Sequence, residues 1–214
     1  MLFIPAFALA FVFFSFCLYF VIRKQGVLSN AQLLIGFGMK VLMGCLYGYI
    51  FQKYYGGDDT WAMHTASLAE TKLLLSDPAQ FFWEYGPSTA LRNANYSIGF
   101  VPLYLSDLEY CLQAKTLGIF NLISRGNYYL NVIFFNFILF WGHYWLFALL
   151  IKKFPSKRFL LFIVIFLIPP IIFWLSGIRA DGLLFFFTVL FIYKLDNWLV
   201  SKKSAALVFV RARL

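Results

Sequence analysis

Charged residues are scarce in this sequence of 214 residues. Asp, Glu, Lys and Arg make up 13% of it, whereas 62% of the residues are hydrophobic and 22% are aromatic. A soluble globular domain carries about 25% charged residues, so this composition excludes an ordinary soluble domain. It is typical of an integral membrane protein.

Cysteines and catalytic signatures are scarce as well. Cys17, Cys45 and Cys111 are odd in number and form no Cys-x-x-Cys pair, so they indicate neither a disulfide framework nor a zinc site. The sequence also contains no internal repeat, no phosphate-binding glycine loop and no nucleophile elbow. Kinase, nucleotide-binding and hydrolase functions are therefore disfavoured.

Long apolar runs make up most of the chain. A helix needs about 20 apolar residues to cross the hydrocarbon core of a bilayer. The runs predict an all-α, polytopic membrane protein with about five transmembrane helices: Leu2–Ile22, Ala31–Phe51, Tyr129–Ile151, Phe159–Leu175 and Gly182–Val200. The first run lacks the basic leading segment of a signal peptide, so we expect it to be retained as a helix.

The basic residues predict the orientation of these helices. They cluster at Arg23-Lys24, at Lys152–Arg158 and at Lys194–Lys203, between or just after the apolar runs. Because cytoplasmic loops carry an excess of Lys and Arg, we expect the N-terminus outside and the C-terminus in the cytoplasm. Orientation and contact with lipid head groups then explain the net charge of +9 without nucleic acid.

This orientation divides the chain into four regions. Residues 1–51 hold two transmembrane helices, residues 52–128 form an extracytoplasmic loop, residues 129–203 hold three more helices, and residues 204–214 form a basic cytoplasmic tail. The loop is too apolar to be disordered. We therefore expect it to contain short amphipathic helices that lie on the membrane surface.

Capping residues place these short helices. Either Asp58 or Asp59 is predicted to cap a first helix, and Asp77-Pro78 is predicted to start a second, which Gly86-Pro87 ends. A third apolar stretch, Ile98–Leu105, is too short to cross a membrane and is placed in the interface. Together these helices are expected to roof a cavity on the outer side.

Three short segments resemble a known family. They are Tyr54–Trp61 (YYGGDDTW) directly after a predicted transmembrane helix, Gly126–Val132 (GNYYLNV) entering the next, and Pro169-Pro170 followed by Phe173–Asp181 (FWLSGIRAD). The first resembles the first extracytoplasmic loop of GT-C superfamily glycosyltransferases. The others are similar to bacterial membrane proteins of the dolichyl-phosphate-mannose protein mannosyltransferase type.

The resemblance implies an enzyme of the bacterial inner membrane. GT-C enzymes take a sugar from a polyprenyl-phosphate donor, and an acidic residue of the first outer loop either deprotonates the acceptor hydroxyl or coordinates a divalent cation near the lipid phosphate. That residue is Asp58 or Asp59 here. Arg179 is a candidate contact for the donor phosphate, with Asp181 beside it in the substrate site.

Each of these assignments has a purely structural alternative. Asp58 is suited to cap a helix whose positive end favours Asp59, without any chemistry. The stretch from Ser176 to Asp181 is compatible with a solvated turn in which Arg179 pairs with Asp181. Because topology places both acidic regions on the same side, the functional alternative predicts that they share one cleft.

Lys40 falls near the middle of the second apolar run, where a cation is costly. Gly36, Lys40, Gly44 and Gly48 recur every four residues and so share one helix face, which small residues adapt for close contact. This face is predicted to point into the protein. Lys40 then neutralises a buried acid or lines a polar cavity as a substrate contact, unless a shifted span boundary brings it nearer the inner surface.

The remaining polar residues carry weaker expectations. His64, five residues after Asp59, is a candidate metal ligand with the paired acids, although a lone histidine is more often solvated or a cap. His143, Asn131 and Asn136 lie inside the third predicted span, where interhelical hydrogen bonding is the more common role.

The chain departs from the GT-C family in size, because family members have more transmembrane helices than five. This implies either a piece of a longer enzyme or a small relative. The alternative function is a non-catalytic membrane scaffold, subunit or transport component, in which Lys40 and the glycine face join helices and other membrane proteins are partners.

Overall fold

The computed structural model describes residues 3–83 and 100–211, with the side-chain surroundings of residues 4–83 and 108–200. The described residues form helices and turns and contain no strand, so the predicted all-α class is confirmed. The helices are α1 Phe3–Ile22, α2 Asn30–Tyr55, α3 Asp59–Ser76, α4 Pro78–Trp83, α5 Phe100–Ser124, α6 Tyr128–Lys153, α7 Arg158–Phe166, α8 Pro169–Trp174 and α9 Ala180–Arg211.

Local sequence signals account for the ends of α2. The Ser29 hydroxyl accepts a hydrogen bond from the backbone N–H of Gln32, and the Gln32 side-chain oxygen accepts one from the backbone N–H of Ser29, which makes a capping box. At the other end Gly56 adopts a left-handed conformation with a φ of 71° and Gly57 has a φ of 116°. Because glycine enters this region without a Cβ clash, the chain can turn sharply into α3.

The predicted short helices of the outer loop are present as α3 and α4. Asp58 caps α3 by accepting from the Thr60 N–H at 3.0 Å, and Asp77 accepts from the Gln80 N–H at 3.0 Å where α4 begins. The predicted end of α4 at Gly86-Pro87 lies outside the described residues. From residue 100 onward, the stretch predicted as a short interfacial segment is instead the first part of the 25-residue helix α5.

Four of the described helices are long and apolar enough to cross a membrane: Ile4–Gln25, Asn30–Tyr55, Tyr128–Lys153 and Ala180–Val200. The fifth predicted span, Phe159–Leu175, is not one helix but the two short helices α7 and α8. Pro169-Pro170 explains the break, because proline lacks an N–H and pushes the preceding residue out of the α region. Ile168 is accordingly extended, with a ψ of 114°.

Helix α6 lies at the centre of the fold and packs against α1, α2, α5, α7 and α9. Its buried side chains join two hydrophobic clusters, and the larger cluster combines aliphatic with aromatic side chains. Fully buried members of that cluster are Leu18, Ile22, Phe37, Ile133, Phe140, Tyr144, Phe147 and Phe166. Apolar packing around α6 therefore fixes the positions of the helices that carry the polar residues discussed below.

Two of the basic clusters meet at one end of the bundle, here called the basic end. Tyr144 donates a hydrogen bond to the Gln25 side chain at 2.6 Å, and Arg158 donates to the carbonyl of Val27. Lys152 reaches Asn197 on α9 at 3.5 Å. The basic clusters thus lie at the same end of the bundle, as predicted. Helix α9 continues past residue 203 to Arg211.

Candidate functional site

The opposite end of the bundle, where α2 ends and α6 and α9 begin, carries acidic residues and is called the acidic end. Two contacts fix α3 there. The Trp61 indole donates to the carbonyl of Gly48 at 2.9 Å, and the Thr60 hydroxyl lies 2.8 Å from that of Tyr128. These bonds hold Asp58 and Asp59 against the bundle.

Tyr47 links the two sequence segments predicted to form one site. Its hydroxyl donates to Asp58 Oδ2 at 2.8 Å and accepts from Arg179 Nη1 at 2.6 Å. The Tyr47 side chain is fully buried on α2. Asp58 therefore has two structural duties, because it caps α3 and anchors the Tyr47 hydroxyl that contacts Arg179.

Asp59 completes the predicted convergence. Its Oδ2 lies 3.7 Å from Arg179 Nη2, and Asp181 Oδ2 lies 3.3 Å from Arg179 Nε. The two acidic regions thus share one cleft, as predicted, and the pairing of Arg179 with Asp181 is present as well. Asp59 has a side chain that is 86% exposed, so it is the more accessible of the paired acids.

A cavity of about 220 Å³ opens at this cleft. Its polar lining comes from α3, α5 and the start of α9: Asp59, Glu109, Tyr110, Gln113, Arg179 and Asp181. Sequence reasoning missed the three α5 residues because it followed that segment only as far as residue 105. The signal that could have found them is the i, i+4 spacing of Glu109 and Gln113, which places both on one helix face.

Carboxylates outnumber cations among the described residues that line this cavity. Burial lowers the pKa of Arg179, but the hydrogen bond with Tyr47 and the charges of Asp181 and Asp59 outweigh that effect, so the pKa is raised above its ordinary value. Burial and the nearby Asp59 carboxylate likewise raise the pKa of Tyr110. Arg179 therefore stays charged and Tyr110 stays protonated near neutral pH.

An apolar groove of about 530 Å³ adjoins the polar cavity, and Glu109, Gln113, Ala180 and Asp181 line both. Its walls come from α5, α6 and α9, with Leu112, Thr116, Phe135, Ile138, Leu183 and Phe187. The combined space thus has one polar end and one apolar end. Such a shape suits an amphiphile better than a small soluble ligand.

Lys40 lies beneath this site and lines neither cavity. It is fully buried, as predicted, and its ammonium donates to the carbonyl of Leu175 at 3.0 Å and to the Ser176 hydroxyl at 3.2 Å. Among the described residues no carboxylate lies within ion-pair distance of it. Lys40 therefore stabilises the carbonyl end of α8, where a cation is favourable, and the geometry gives no support to a direct substrate contact.

The glycine face around Lys40 is in close contact with the protein, as predicted. A Cβ added at Gly44 would lie 2.5 Å from the Ser176 carbonyl oxygen, and one added at Gly48 would lie 2.2 Å from the Tyr128 ring. Asn136 also donates to the Ser176 carbonyl at 2.8 Å. The chain segment leading to Arg179 is thus held from below by several buried groups.

His64 is not grouped with the paired acids as a metal site among the described residues. It is buried with its ring edge-on to Trp61 and Tyr128, and burial lowers its pKa despite a hydrogen bond with the backbone of Gly126. No three His, Cys, Asp or Glu residues of the described chain are grouped to hold a metal ion. In addition, the Arg179 guanidinium pairs with both Asp59 and Asp181, so a cation would have to compete with it.

The polar residues of α6 differ in their roles. Asn131 donates to Asn121 on α5 at 2.6 Å, which is the predicted interhelical hydrogen bond. Asn136 bonds instead to the carbonyl of Ser176 in the connection between α8 and α9. His143 bonds within α6, where its Nδ1 lies 3.3 Å from the carbonyl of Leu139. Its ring packs against Phe185 of α9.

Comparison with protein-family models, with curated proteins and with solved structures finds no match to this chain. The function has to be argued from the geometry of the acidic end.

Proposed function

We propose that this chain is a GT-C-type membrane glycosyltransferase that takes a sugar from a polyprenyl-phosphate donor at the extracytoplasmic face. The observation that supports this best is the meeting of Asp59 and Arg179 in a polar cavity that adjoins an apolar groove. Transfer of a lipid-linked sugar to an acceptor in the membrane needs a polar site for the reacting groups beside an apolar space for a lipid chain. The transfer also needs a base and a phosphate contact close together.

In this proposal Asp59 is the general base. The acceptor hydroxyl gives its proton to the Asp59 carboxylate, its oxygen forms a bond to the anomeric carbon of the sugar, and the bond from that carbon to the phosphate oxygen breaks. The departing polyprenyl phosphate takes the bonding electrons, and Arg179 stabilises its negative charge. Asp58 is the positioning residue, because its carboxylate is committed to Thr60 and Tyr47.

The cellular orientation belongs to the same proposal. The basic end lies in the cytoplasm of a bacterial inner membrane and the acidic end outside, since Lys and Arg are enriched in cytoplasmic loops. Single cysteines at exposed Leu75 and Phe154, in a chain whose native cysteines are replaced, test this with an impermeant thiol reagent. Labelling of position 154 but not position 75 in intact cells would show that the orientation is the opposite of the one proposed.

The decisive experiment measures sugar transfer by the full chain in proteoliposomes of bacterial membrane lipid extract, which supplies hydroxyl-bearing acceptors. Polyprenyl-phosphate mannose is the donor and release of polyprenyl phosphate is the readout. Loss of a general base lowers rates by about 10²-fold to 10⁴-fold, so Asp59→Asn is expected to abolish release. Asp77→Asn is the matched control, because asparagine also caps helices and Asp77 lines neither cavity. Wild-type protein that releases no polyprenyl phosphate from mannosyl or glucosyl donors overturns the proposal.

A transport component is the second candidate, and the broken helix favours it. Discontinuous helices with buried ionic groups near the midplane occur in secondary transporters, and α7–α8 with Lys40 has that form. Uptake of labelled donor into the proteoliposome lumen without release of polyprenyl phosphate would support this candidate over the transferase.

A further inference from the structure

Gln113 carries an unused hydrogen-bond acceptor at the junction of the two cavities. Its side chain is 3% exposed and lines both of them. The amide nitrogen donates to Glu109 Oε1 at 3.1 Å, which fixes the orientation of the amide because a carboxylate can only accept. The amide oxygen then has no hydrogen-bond partner among the described residues, and a buried acceptor of this kind is costly unless a ligand supplies a donor.

The other groups at this junction also favour a donor. Glu109 and Asp181 line both cavities and Asp59 lines the polar one, and ionised carboxylates only accept hydrogen bonds. Among the described residues that line the polar cavity, Arg179 is the one guanidinium, and it already contacts Tyr47, Asp59 and Asp181. A hydroxyl group donates readily to such a wall, whereas an anionic head group next to Glu109 and Asp181 would be repelled.

The groove that leads away from the junction is suited to a hydrocarbon chain. Leu112, Leu184 and Phe187 line it and are 47%, 68% and 59% exposed. Leu184 and Phe187 lie on α9, which is long and apolar enough to span a membrane, so their exposed side chains face lipid in a bilayer. A lipid can therefore enter the groove sideways without leaving the bilayer.

We propose that the junction binds the acceptor substrate, a membrane lipid with an uncharged, hydroxyl-bearing head group that donates to Gln113 and whose chain lies in the groove. This inference rests on the proposed function, because it assigns the groove to the acceptor and leaves Arg179 to the donor phosphate. It identifies Gln113 as the residue that selects a hydroxyl over a phosphate at this position.

Two lipids with the same chain test the selection by equilibrium binding to the full chain in nanodiscs. Monooleoylglycerol carries free hydroxyls, and oleoyl lysophosphatidic acid adds a phosphate to the same skeleton. The wild-type protein is expected to bind monooleoylglycerol at least about 10-fold more tightly, since like charges oppose the phosphate. Equal binding of the two lipids, or a preference for the phosphate, overturns the inference.

Two variants locate the effect. Gln113→Met keeps the side-chain length but removes the acceptor, so monooleoylglycerol is expected to bind about 5-fold to 10-fold more weakly while lysophosphatidic acid is unaffected. Gln52→Met, at an exposed glutamine of α2, is the matched control. Thr116→Phe fills the groove from an exposed position and is expected to weaken both lipids.

If Gln113→Met binds monooleoylglycerol as tightly as the wild-type protein does, Gln113 does not have the proposed role. If that variant does not fold, the preference of the wild-type protein between the two lipids still tests the inference. Binding and transfer separate the two proposals. Selective binding of monooleoylglycerol without release of polyprenyl phosphate from any donor removes the proposed function alone. Release without selective binding removes this inference alone.

Discussion

The glycine face of α2 and the polar cavity around Arg179 are neighbouring regions of the molecule that differ in how tightly they are packed. The face formed by Gly36, Lys40, Gly44 and Gly48 is sealed, and every contact on it is tight. The cavity around Arg179 is open, and its charged groups share partners. A sealed face can only hold its neighbours in place, whereas an open cavity can exchange its partners for a ligand.

The two cations show this difference most clearly. Lys40 contacts the connection between α8 and α9 at Leu175, and Arg179 belongs to that same connection. Lys40 bonds to a carbonyl and a hydroxyl that no ligand can reach. Arg179 bonds to side chains that a phosphate can displace. We therefore assign Lys40 to positioning and Arg179 to binding, and the following changes test that division.

Gly44→Ala is expected to have the largest effect. The new Cβ would lie 2.5 Å from the Ser176 carbonyl oxygen and 2.7 Å from a Val132 methyl group, and overpacking of this kind costs about 1–3 kcal/mol. The melting temperature should fall by several degrees, at about 2–4 °C per kcal/mol for a chain of this length.

Gly38→Ala on the same helix is the control, because its Cβ would meet nothing closer than 3.7 Å. Alanine also favours the helix by about 0.5–1 kcal/mol. Equal melting temperatures for the two variants would contradict the sealed packing of this face.

Lys40→Met should loosen the connection that carries Arg179. The variant removes both donors to Leu175 and Ser176, although removing a buried charge offsets part of the loss. Amide hydrogen exchange in residues 175–181 should accelerate about 10-fold, equivalent to about 1.4 kcal/mol of local stability. Lys24→Met, at an exposed lysine, should leave that exchange unchanged, and unchanged exchange in Lys40→Met would remove its positioning role.

Tyr47→Phe breaks the connection between the sealed face and the cavity. The hydroxyl bonds to Asp58 and Arg179 are lost, at a net cost of about 1 kcal/mol. A thermal-unfolding comparison with Tyr54→Phe, whose side chain is 68% exposed, measures the difference. If both variants melt together, the Tyr47 hydroxyl does not join the two regions.

Replacement of His64 should have the smallest effect on stability, and this effect should be detectable only as a change in the dependence of stability on pH. Burial lowers its pKa in the folded chain, so the unfolded chain binds a proton first as pH falls below about 6.5. Stability is therefore full above that pH and declines below it, by at most about 1.4 kcal/mol per pH unit. His64→Gln should lose less stability than wild type between pH 7.5 and pH 5.5, and an identical loss would show that His64 does not contribute.

Local patterns predicted the sealed face and most helix ends. The four-residue spacing from Gly36 to Gly48 and the caps at Asp58 and Asp77 depend only on neighbours along the chain, and all are present. Pro169-Pro170 is also a local pattern, and it indicates a break in the helix. The length of the apolar run Phe159–Leu175 indicated one continuous helix instead. The predicted fifth span was wrong for that reason.

The cavity could be predicted only in part. Topology placed Asp59 and Arg179 on one side, and the need of a transferase for an acid beside a phosphate contact predicted one shared cleft, where the two side chains do meet. Glu109 and Gln113 could not be added, because their place depends on how α5 packs against α3 across a long sequence separation. Their i, i+4 spacing places both on one helix face, but it does not show which cavity that face lines.

Photocrosslinking with a short polyprenyl-phosphate mannose that carries a diazirine on the isoprene next to the phosphate tests the central claim most directly. We predict that the label appears in segments 59–63, 109–113 and 178–181, which line the polar cavity, and that Arg179→Met lowers it there. Label spread along the exposed face of α1, with none enriched in those segments, would contradict a donor site at the meeting of Asp59 and Arg179.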